Sequence, residues 1–269
     1  MKVNEVLTRF NLSLAGRASA GCAAGPVLLG DLAMPPDLRL AVTRDPAEIR
    51  AALDLRHAVF VDEMGAQGGA DADAFDAACD HLVLRDAARP KAGIVATLRV
   101  AGGTAYTAQE FDLSRLHATG RKLAETGRAC LHPDYRGGIA GLMLFRDLLD
   151  VLHARGVGVV VGTASLPGAD PDRHMPALRR LRQEALAPPD IRPVAHGTGA
   201  IAVSGEAPRG AMRDVPALIK TYLRAGAWVG DGAYVDAAFN TVDVCMILDL
   251  ARVTLPRLPA MTTGRDDLG

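Results

Sequence analysis

Residues 125–146, ETGRACLHPDYRGGIAGLMLFR, decide the fold. They begin as a strand whose apolar end is Ala129, Cys130 and Leu131, and His132-Pro133-Asp134-Tyr135 then breaks it. Arg136-Gly137-Gly138 opens a helix on which Ile139, Leu142, Phe145, Leu149 and Leu152 form an apolar stripe. A strand that stops at a Gly-rich turn and feeds a helix leaves the first N–H groups of that helix free. Such groups attract anions, phosphate and pyrophosphate among them. The same pattern also serves as an ordinary strand–turn–helix connection, so its meaning depends on its surroundings.

Upstream, residues 37–43 (DLRLAVT) alternate as a first strand. Asp45-Pro46-Ala47-Glu48 is a helix start, with Asp45 as N-cap and Pro46 in the first turn. That helix is expected to turn Ile49, Leu53, Arg56 and Phe60 to one side. Residues 65–78, rich in Gly, Ala and Asp, read as a mobile loop, and residues 81–85 and 94–100 as a hairpin. Residues 106–122 are polar and mixed. Downstream, residues 157–163 are a nearly continuous apolar run, as in a strand covered on both faces. Helices are expected at 175–185 and at 216–225, the second ended by Gly226. Strands are expected at 192–203, bent at Gly197 and Gly199, and at 243–250. Strands flanked by a few helices without strict alternation predict an α+β fold with a mixed central sheet. Residues 37–255 read as one domain, after a partly helical extension at 1–36 and before a tail at 256–269.

The bulk properties narrow the function. The chain has 269 residues, 49% of them hydrophobic, enough to bury a sizeable core. A net charge of -1 and an aromatic content of 4% argue against a nucleic-acid partner. Cys22, Cys79, Cys130 and Cys245 are far apart and fit neither a zinc knuckle nor a disulfide framework, so a reducing cytoplasm is expected. No apolar run is long enough to span a membrane. Gly21-Cys22 is similar to a lipoprotein cleavage site, but Glu5, Arg9, Asn11 and Arg17 interrupt the apolar core that such a signal needs. No His-x-x-x-His or related pattern occurs, and no metal is expected. Arg173, Arg179, Arg180 and Arg182 form either a solvated helix face or a dock for an acidic protein or an anionic membrane surface.

The order of several motifs carries a resemblance. A helix with Arg56-x-x-x-Phe60 precedes an acidic loop from Asp76 to Asp80. One strand ends in Leu98-Arg99-Val100, another holds Glu125-x-x-Arg128, and Pro133-x-Tyr135-Arg136 leads into a helix. This order resembles the GNAT fold of N-acyltransferases. More closely, it resembles the acyl-carrier-protein-dependent branch shared by acyl-homoserine-lactone synthases and L-ornithine Nα-acyltransferases. Thr163-Ala164-Ser165-Leu166, Pro216-Ala217-Leu218-Ile219-Lys220-x-Tyr222-Leu223-Arg224-x-Gly226-Ala227 and Asp236-x-x-Phe239-Asn240-Thr241-x-Asp243 are similar to the ornithine acyltransferases. The resemblance spans residues 37–250. Two departures matter: the first fits a donor without the nucleotide, phosphopantetheine on a carrier protein, and the second favours the ornithine branch. Ile139 stands where acetyl-CoA-using relatives carry Gly, which hinders close approach of a pyrophosphate. The Trp that lactone synthases carry after the first helix is absent, since the sole Trp is Trp228.

The resemblance implies transfer of a 3-hydroxy fatty acyl group from acyl carrier protein to the α-amine of L-ornithine. The product is lyso-ornithine lipid, the first step of ornithine-lipid synthesis. The implied donor is acyl-phosphopantetheine on its carrier, with no tightly bound cofactor. The implied location is cytoplasmic, with peripheral contact at the inner membrane face. A free α-amine titrates at about 7.7–8.0, so modest base assistance suffices. Glu125 is the candidate base, directly or through a water, unless it pairs with an Arg of the sheet. In strict alternation Glu125 and Arg128 face opposite sides, and only a bulge, implied by the resemblance, brings them together and frees an N–H near Leu131 for an oxyanion. Arg99 or Arg128 suits the substrate carboxylate, or else ties the loop to Asp76 or Asp80. Asp76, Asp80 and Glu110 are candidates for the side-chain ammonium. Arg136, Gly137, Gly138, Leu131 and Phe60 are candidates for the acyl-pantetheine arm, with plain packing the alternative for Phe60. Neither a Gly-x-Ser-x-Gly elbow nor a Cys nucleophile motif occurs, so direct transfer is expected. A lactone synthase of the same fold and a non-catalytic acyl- or lipid-binding module are the other readings.

Overall fold

A computed structural model describes residues 35–67 and 71–253; the extension expected at 1–36, apart from its last two residues, and the tail at 256–269 lie outside them. Strand β1 (Leu38–Thr43) leads into α1 (Pro46–Arg56), capped as the sequence indicates, with Asp45 accepting from the N–H groups of Ala47 (2.8 Å) and Glu48 (3.1 Å). The helix then widens into π-helical turns over His57–Glu63. The buried line is Ala52, Leu55, Arg56 and Val59, not the expected Ile49–Leu53–Phe60, and the wider turns carry Phe60 to the wall of a cleft.

The hairpin follows as β2 (Asp80–Asp86) and β3 (Ile94–Ala101). The mixed stretch resolves into turns, a two-residue β4 (Phe111–Asp112) and a short α2 (Ser114–Ala118). Then come β5 (Leu123–Leu131), α3 (Ala140–Ala154), β6 (Val159–Pro167) and α4 (Pro171–Ala185). The bent strand is two fragments, β7 (Val194–Ala195) and β8 (Ala200–Ile201), parted by Gly197 at φ 82° and by Gly199. The chain continues through α5 (Ala217–Arg224), β9 (Trp228–Val229), β10 (Ala233–Asp236) and β11 (Thr241–Asp249).

Nine strands form one sheet in the order β1-β2-β3-β5-β6-β11-β10-β8, with β9 also on β11. Among these strand pairs only β5 with β6 is parallel, so the sheet is mixed, as expected. One face is covered by α3, whose Leu142, Phe145, Leu149 and Leu152 are buried as the stripe predicts, together with Leu178 of α4 and Ile219 of α5. The other face carries α1 over Val83, Ile94 and Cys130, and Phe111, Leu113 and Leu116 over Val159, Val161 and Ile247. No described helix is long and apolar enough to cross a membrane.

Candidate active site

Two irregularities of β5 build the site. The first is a bulge. Cys130 pairs with Thr97 and Gly127 with Arg99, so Arg128 and Ala129 together oppose the single Leu98. Arg128 sits at φ 55°, a left-handed conformation that costs a non-glycine residue about 1–3 kcal/mol and persists where surroundings enforce it. The extra residue cancels the alternation. Glu125 and Arg128 now meet the same residue, Tyr106, which donates its N–H to Glu125 Oε2 (3.0 Å) and accepts from Arg128 through its hydroxyl (3.2 Å).

The second irregularity is a split. Strands β5 and β6 pair only over Leu123–Glu125 and Val159–Val161, and then part. Gly162 stands at the parting, where a Cβ would collide with the Thr126 carbonyl oxygen. A cleft of about 190 Å³ opens here. Phe60, Leu131, Leu142, Phe145, Leu149 and Tyr222 give it an apolar wall; Tyr106, Arg128, Ser165, Asp236 and Asp243 give it a polar one. The two walls belong to opposite faces of the sheet and meet at the split: on the β6–β11 ladder the apolar lining pair Val160–Leu248 faces α3, and the polar lining pair Ser165–Asp243, an odd number of residues further along, faces the other side.

Above the bulge, three arginines interlock with three aspartates. Arg56, 1% exposed, binds Asp71 (Nε–Oδ2 2.6 Å) and Asp76 (Nη1–Oδ1 2.6 Å). Arg99 binds Asp73 (2.5 Å) and Asp76 (2.9 Å). Arg128 faces Asp71 (3.0 Å) and Asp73 (3.3 Å), and its guanidinium stacks on Phe239 (4.2 Å) and Tyr106 (4.9 Å). Burial alone would raise the pKa of Asp76, but hydrogen bonds from Arg56, the Asp73 N–H and Arg99 outweigh it and hold the value at about 2. The described part of the loop expected to be mobile is therefore fastened: Asp71 and Asp76 are buried in it. Asp80 stands apart, paired to Arg44 (2.5 Å) and Arg155 (2.6 Å).

Glu125 is 6% exposed, and among the described residues it pairs with no arginine. Its carboxylate accepts from the N–H groups of Tyr106 and Thr107 and from the Thr107 hydroxyl, at 3.0, 2.5 and 2.5 Å. It thereby fastens the loop at 106–110 to the sheet, and it is not part of the cleft lining. That loop carries Glu110 to within 4.8 Å of Asp236 and Asp243. Burial, then the charges of Asp243 and Asp236, push Glu110 up to about 8; burial likewise pushes Asp243 up to about 6, against the Ser165 and Thr241 hydroxyls. At the start of α3, Arg136 is engaged by Glu63 through two contacts of 2.6 Å and reaches the Leu131 carbonyl oxygen (3.1 Å). Gly137 takes the turn at φ 72°.

The fold thus brings Arg99, Arg128 and Asp76 into one lattice, sets Glu125 of β5 against the adjoining loop that carries Glu110, and lines the cleft with Phe60, Leu131 and Arg128. Sequence reasoning missed Asp236 and Asp243. The available signal was Asp243 itself, an acid inside the apolar run TVDVCMIL.

A mixed sheet whose one parallel pair splits beside a bulged strand defines a GNAT-type acyltransferase, and residues 55–146 match a family model described as an acetyltransferase (GNAT) domain. The chain is 40% identical over 237 residues to an L-ornithine N(alpha)-acyltransferase of Rhodobacter capsulatus, covering 81% of this chain and 92% of that protein. Proteins of the same name from Brucella abortus (35% over 245 residues; 81% and 85% covered) and Agrobacterium fabrum (34% over 240; 80% and 82%) are also similar. The chain belongs to the L-ornithine Nα-acyltransferase family.

Proposed function

We propose that this N-acyltransferase moves a 3-hydroxy fatty acyl group from acyl carrier protein to the α-amine of L-ornithine, giving lyso-ornithine lipid in the cytoplasm or at the inner membrane face. The observation that carries the reading is the cleft, apolar along one stretch and bearing both signs of charge along the other. An acyl chain suits the first and an amino acid the second, and the names of the similar proteins fit that division. Beyond Glu125 and Val161 the facing edges of β5 and β6 lack each other as partners, and their amides suit the two amides of a pantetheine arm. Arg136, Gly137 and Gly138 at the start of α3 are the candidates to receive its phosphate.

In the proposed step the neutral α-amine attacks the thioester carbonyl carbon. The C–N bond forms, the C–S bond breaks, the pantetheine thiol leaves, and the amine gives up one proton. The negative oxygen of the tetrahedral species takes a hydrogen bond from an N–H that the bulge withdraws from pairing. Arg128, the cation of the cleft wall, holds the α-carboxylate. Glu125, with three donors on its carboxylate, acts as a positioning residue that fixes the loop bearing Tyr106 and Glu110.

Purified protein incubated with 3-hydroxyacyl carrier protein and L-ornithine is expected to form the N-acyl amino acid. Absence of product, with S-adenosylmethionine accepted instead, defeats the proposal in favour of a lactone synthase. Glu125→Gln separates the two roles of that residue. Positioning predicts a raised KM for ornithine with an unchanged pH profile. Loss of the alkaline plateau in kcat would return Glu125 to proton transfer, directly or through a water.

A further inference from the structure

Three acids remain once the arginine–aspartate lattice is closed. Glu110, Asp236 and Asp243 each bring a carboxylate oxygen within 4.8 Å of the others, from three separate elements. Among the described residues no Lys, Arg or His forms an ion pair with any of them. Arg128 is the cation whose field reaches them, but its ion pairs are with Asp71 and Asp73 and not with these three.

A second observation points to a ligand. Glu110 and Asp243 are 5% and 3% exposed, and Glu110 Oε2 and Asp243 Oδ1 are buried without a hydrogen-bond partner. Buried carboxylate oxygens of this kind are rare, because desolvation is then uncompensated. Asp236 and Asp243 line the polar wall of the cleft, so the group is reached from the space where the acceptor amino acid would lie. A primary ammonium presents three N–H donors around one charge and no acceptor, which matches three converging carboxylate oxygens. A planar guanidinium fork matches one carboxylate edge-on instead.

We infer that Glu110, Asp236 and Asp243 form the socket for the side-chain ammonium of the acceptor, and so select a diamino acid over amino acids with neutral side chains. The inference rests on the acyl-transfer reading above and deepens it. With the α-carboxylate on Arg128 and the far ammonium in the socket, the α-amine is left free to face the thioester.

The electrostatics give the socket a pH signature. Glu110 is faced by Asp236 of β10, Asp243 and Cys245 of β11, Arg128 and Glu125 of β5, and Tyr106 of its own loop. With Glu110 up at about 8 and Asp243 at about 6, the empty socket holds protons that an entering ammonium expels. Ornithine therefore gains on an otherwise equal neutral substrate as pH rises from about 6 to 8.

The test compares L-ornithine with L-norvaline, which is ornithine without its side-chain amine. Both are assayed as acceptors with the same acyl carrier protein thioester. Both substrates must lose the α-ammonium proton, and while both are mostly protonated the neutral fraction rises with pH in the same proportion, so this step drops out of the change of the kcat/KM ratio with pH. Wild-type protein is expected to prefer ornithine, and increasingly so between pH 6 and 8. Asp243→Asn and Glu110→Gln are expected to cut that preference by about tenfold or more, as loss of a charge-assisted contact implies. Calorimetry in buffers of different ionisation heat is expected to show more proton release when ornithine binds than when norvaline binds.

An equal loss on both substrates, or an unchanged preference, overturns the socket. So does tight binding of Mg²⁺, Ca²⁺ or Mn²⁺ alone that Asp243→Asn removes while the preference stays, which would make the acids a metal site. If wild-type protein acylates neither amino acid, the acyltransferase reading fails by itself. Ornithine binding by calorimetry, present in wild type and lost in Asp243→Asn, then decides the socket. Misfolding is excluded by melting curves, since both variants remove mutual repulsion and are expected to melt no lower than wild type at pH 8.

Discussion

The face of the sheet that carries α1 holds two groups of three acids, built on opposite plans. Asp71, Asp73 and Asp76 are matched one for one by Arg56, Arg99 and Arg128. Glu110, Asp236 and Asp243 have no cation matched to them among the described residues. Burial alone does not distinguish them, for Asp76 is 5% exposed and Asp243 3%. Compensation does. A compensated cluster locks the chain, and an uncompensated one waits for charge from outside. The first ties a Gly-rich loop to the sheet, and the second lines the space beside it.

The largest effect is expected where the lattice is broken at its most buried member. Arg56→Ala leaves Asp71 and Asp76 without their shared partner in a site closed to water. Arg128 and Arg99 remain, but two arginines then face three aspartates, and leaving one such buried charge unmatched costs about 3–5 kcal/mol. Urea denaturation should show a loss of that size with the slope preserved. A loss below about 1 kcal/mol would mean that water enters and that the lattice is no tighter than a surface pair.

The two groups should also respond to pH with opposite signs. Asp76 is held at about 2, below its ordinary 3.8, so its contribution is present above pH 3.8 and is lost as pH falls toward 2. Glu110 is raised from 4.5 to about 8, which favours the protonated folded form. Its contribution is present below pH 4.5 and is lost as pH rises through 8. Melting temperature against pH is then expected to sag on both sides, with a different cluster responsible for each. Glu110→Gln should flatten the alkaline side and raise stability near pH 8 by about 1–2 kcal/mol, as removal of an unpaired buried charge does. A Glu110→Gln protein that is less stable at pH 8 would show that the second group has a hidden partner.

These contrasts mark how far the sequence could be read. The strands, the cap at Asp45, the stripe on α3 and the order of motifs were legible because each rests on short-range periodicity or on side chains adjacent in sequence. The π-helical turns over His57–Glu63 were not, and they moved the buried face of α1 by a fraction of a turn. The loop at 65–78 looked mobile by composition, since nothing local shows that its aspartates reach Arg56, Arg99 and Arg128. Glu125 was readable as a carboxylate of the site, but its partners are N–H groups 18 and 19 residues away rather than an arginine. Asp236 and Asp243 lie more than a hundred residues from Glu110, and their convergence depends on β10 and β11 closing the far side of the sheet.

Asp80 provides the smallest expected effect and the control for the comparison. Like Asp76 it is an aspartate between two arginines, Arg44 and Arg155, and their hydrogen bonds outweigh partial burial to lower its pKa. It differs in depth: the side chains of Arg44 and Arg155 are 65% and 36% exposed, against 1% for Arg56. If compensation alone made a lattice, Asp80→Asn would cost as much as a change at Asp76. Solvent screening and the freedom of two exposed side chains argue instead for less than about 1 kcal/mol. Asp80 also has no place in the cleft wall, so KM for ornithine is expected to hold. Denaturation and acceptor kinetics on Asp80→Asn measure both. A loss above about 2 kcal/mol would show that pairing outweighs burial in this fold, and a raised KM would draw Asp80 into the acceptor site.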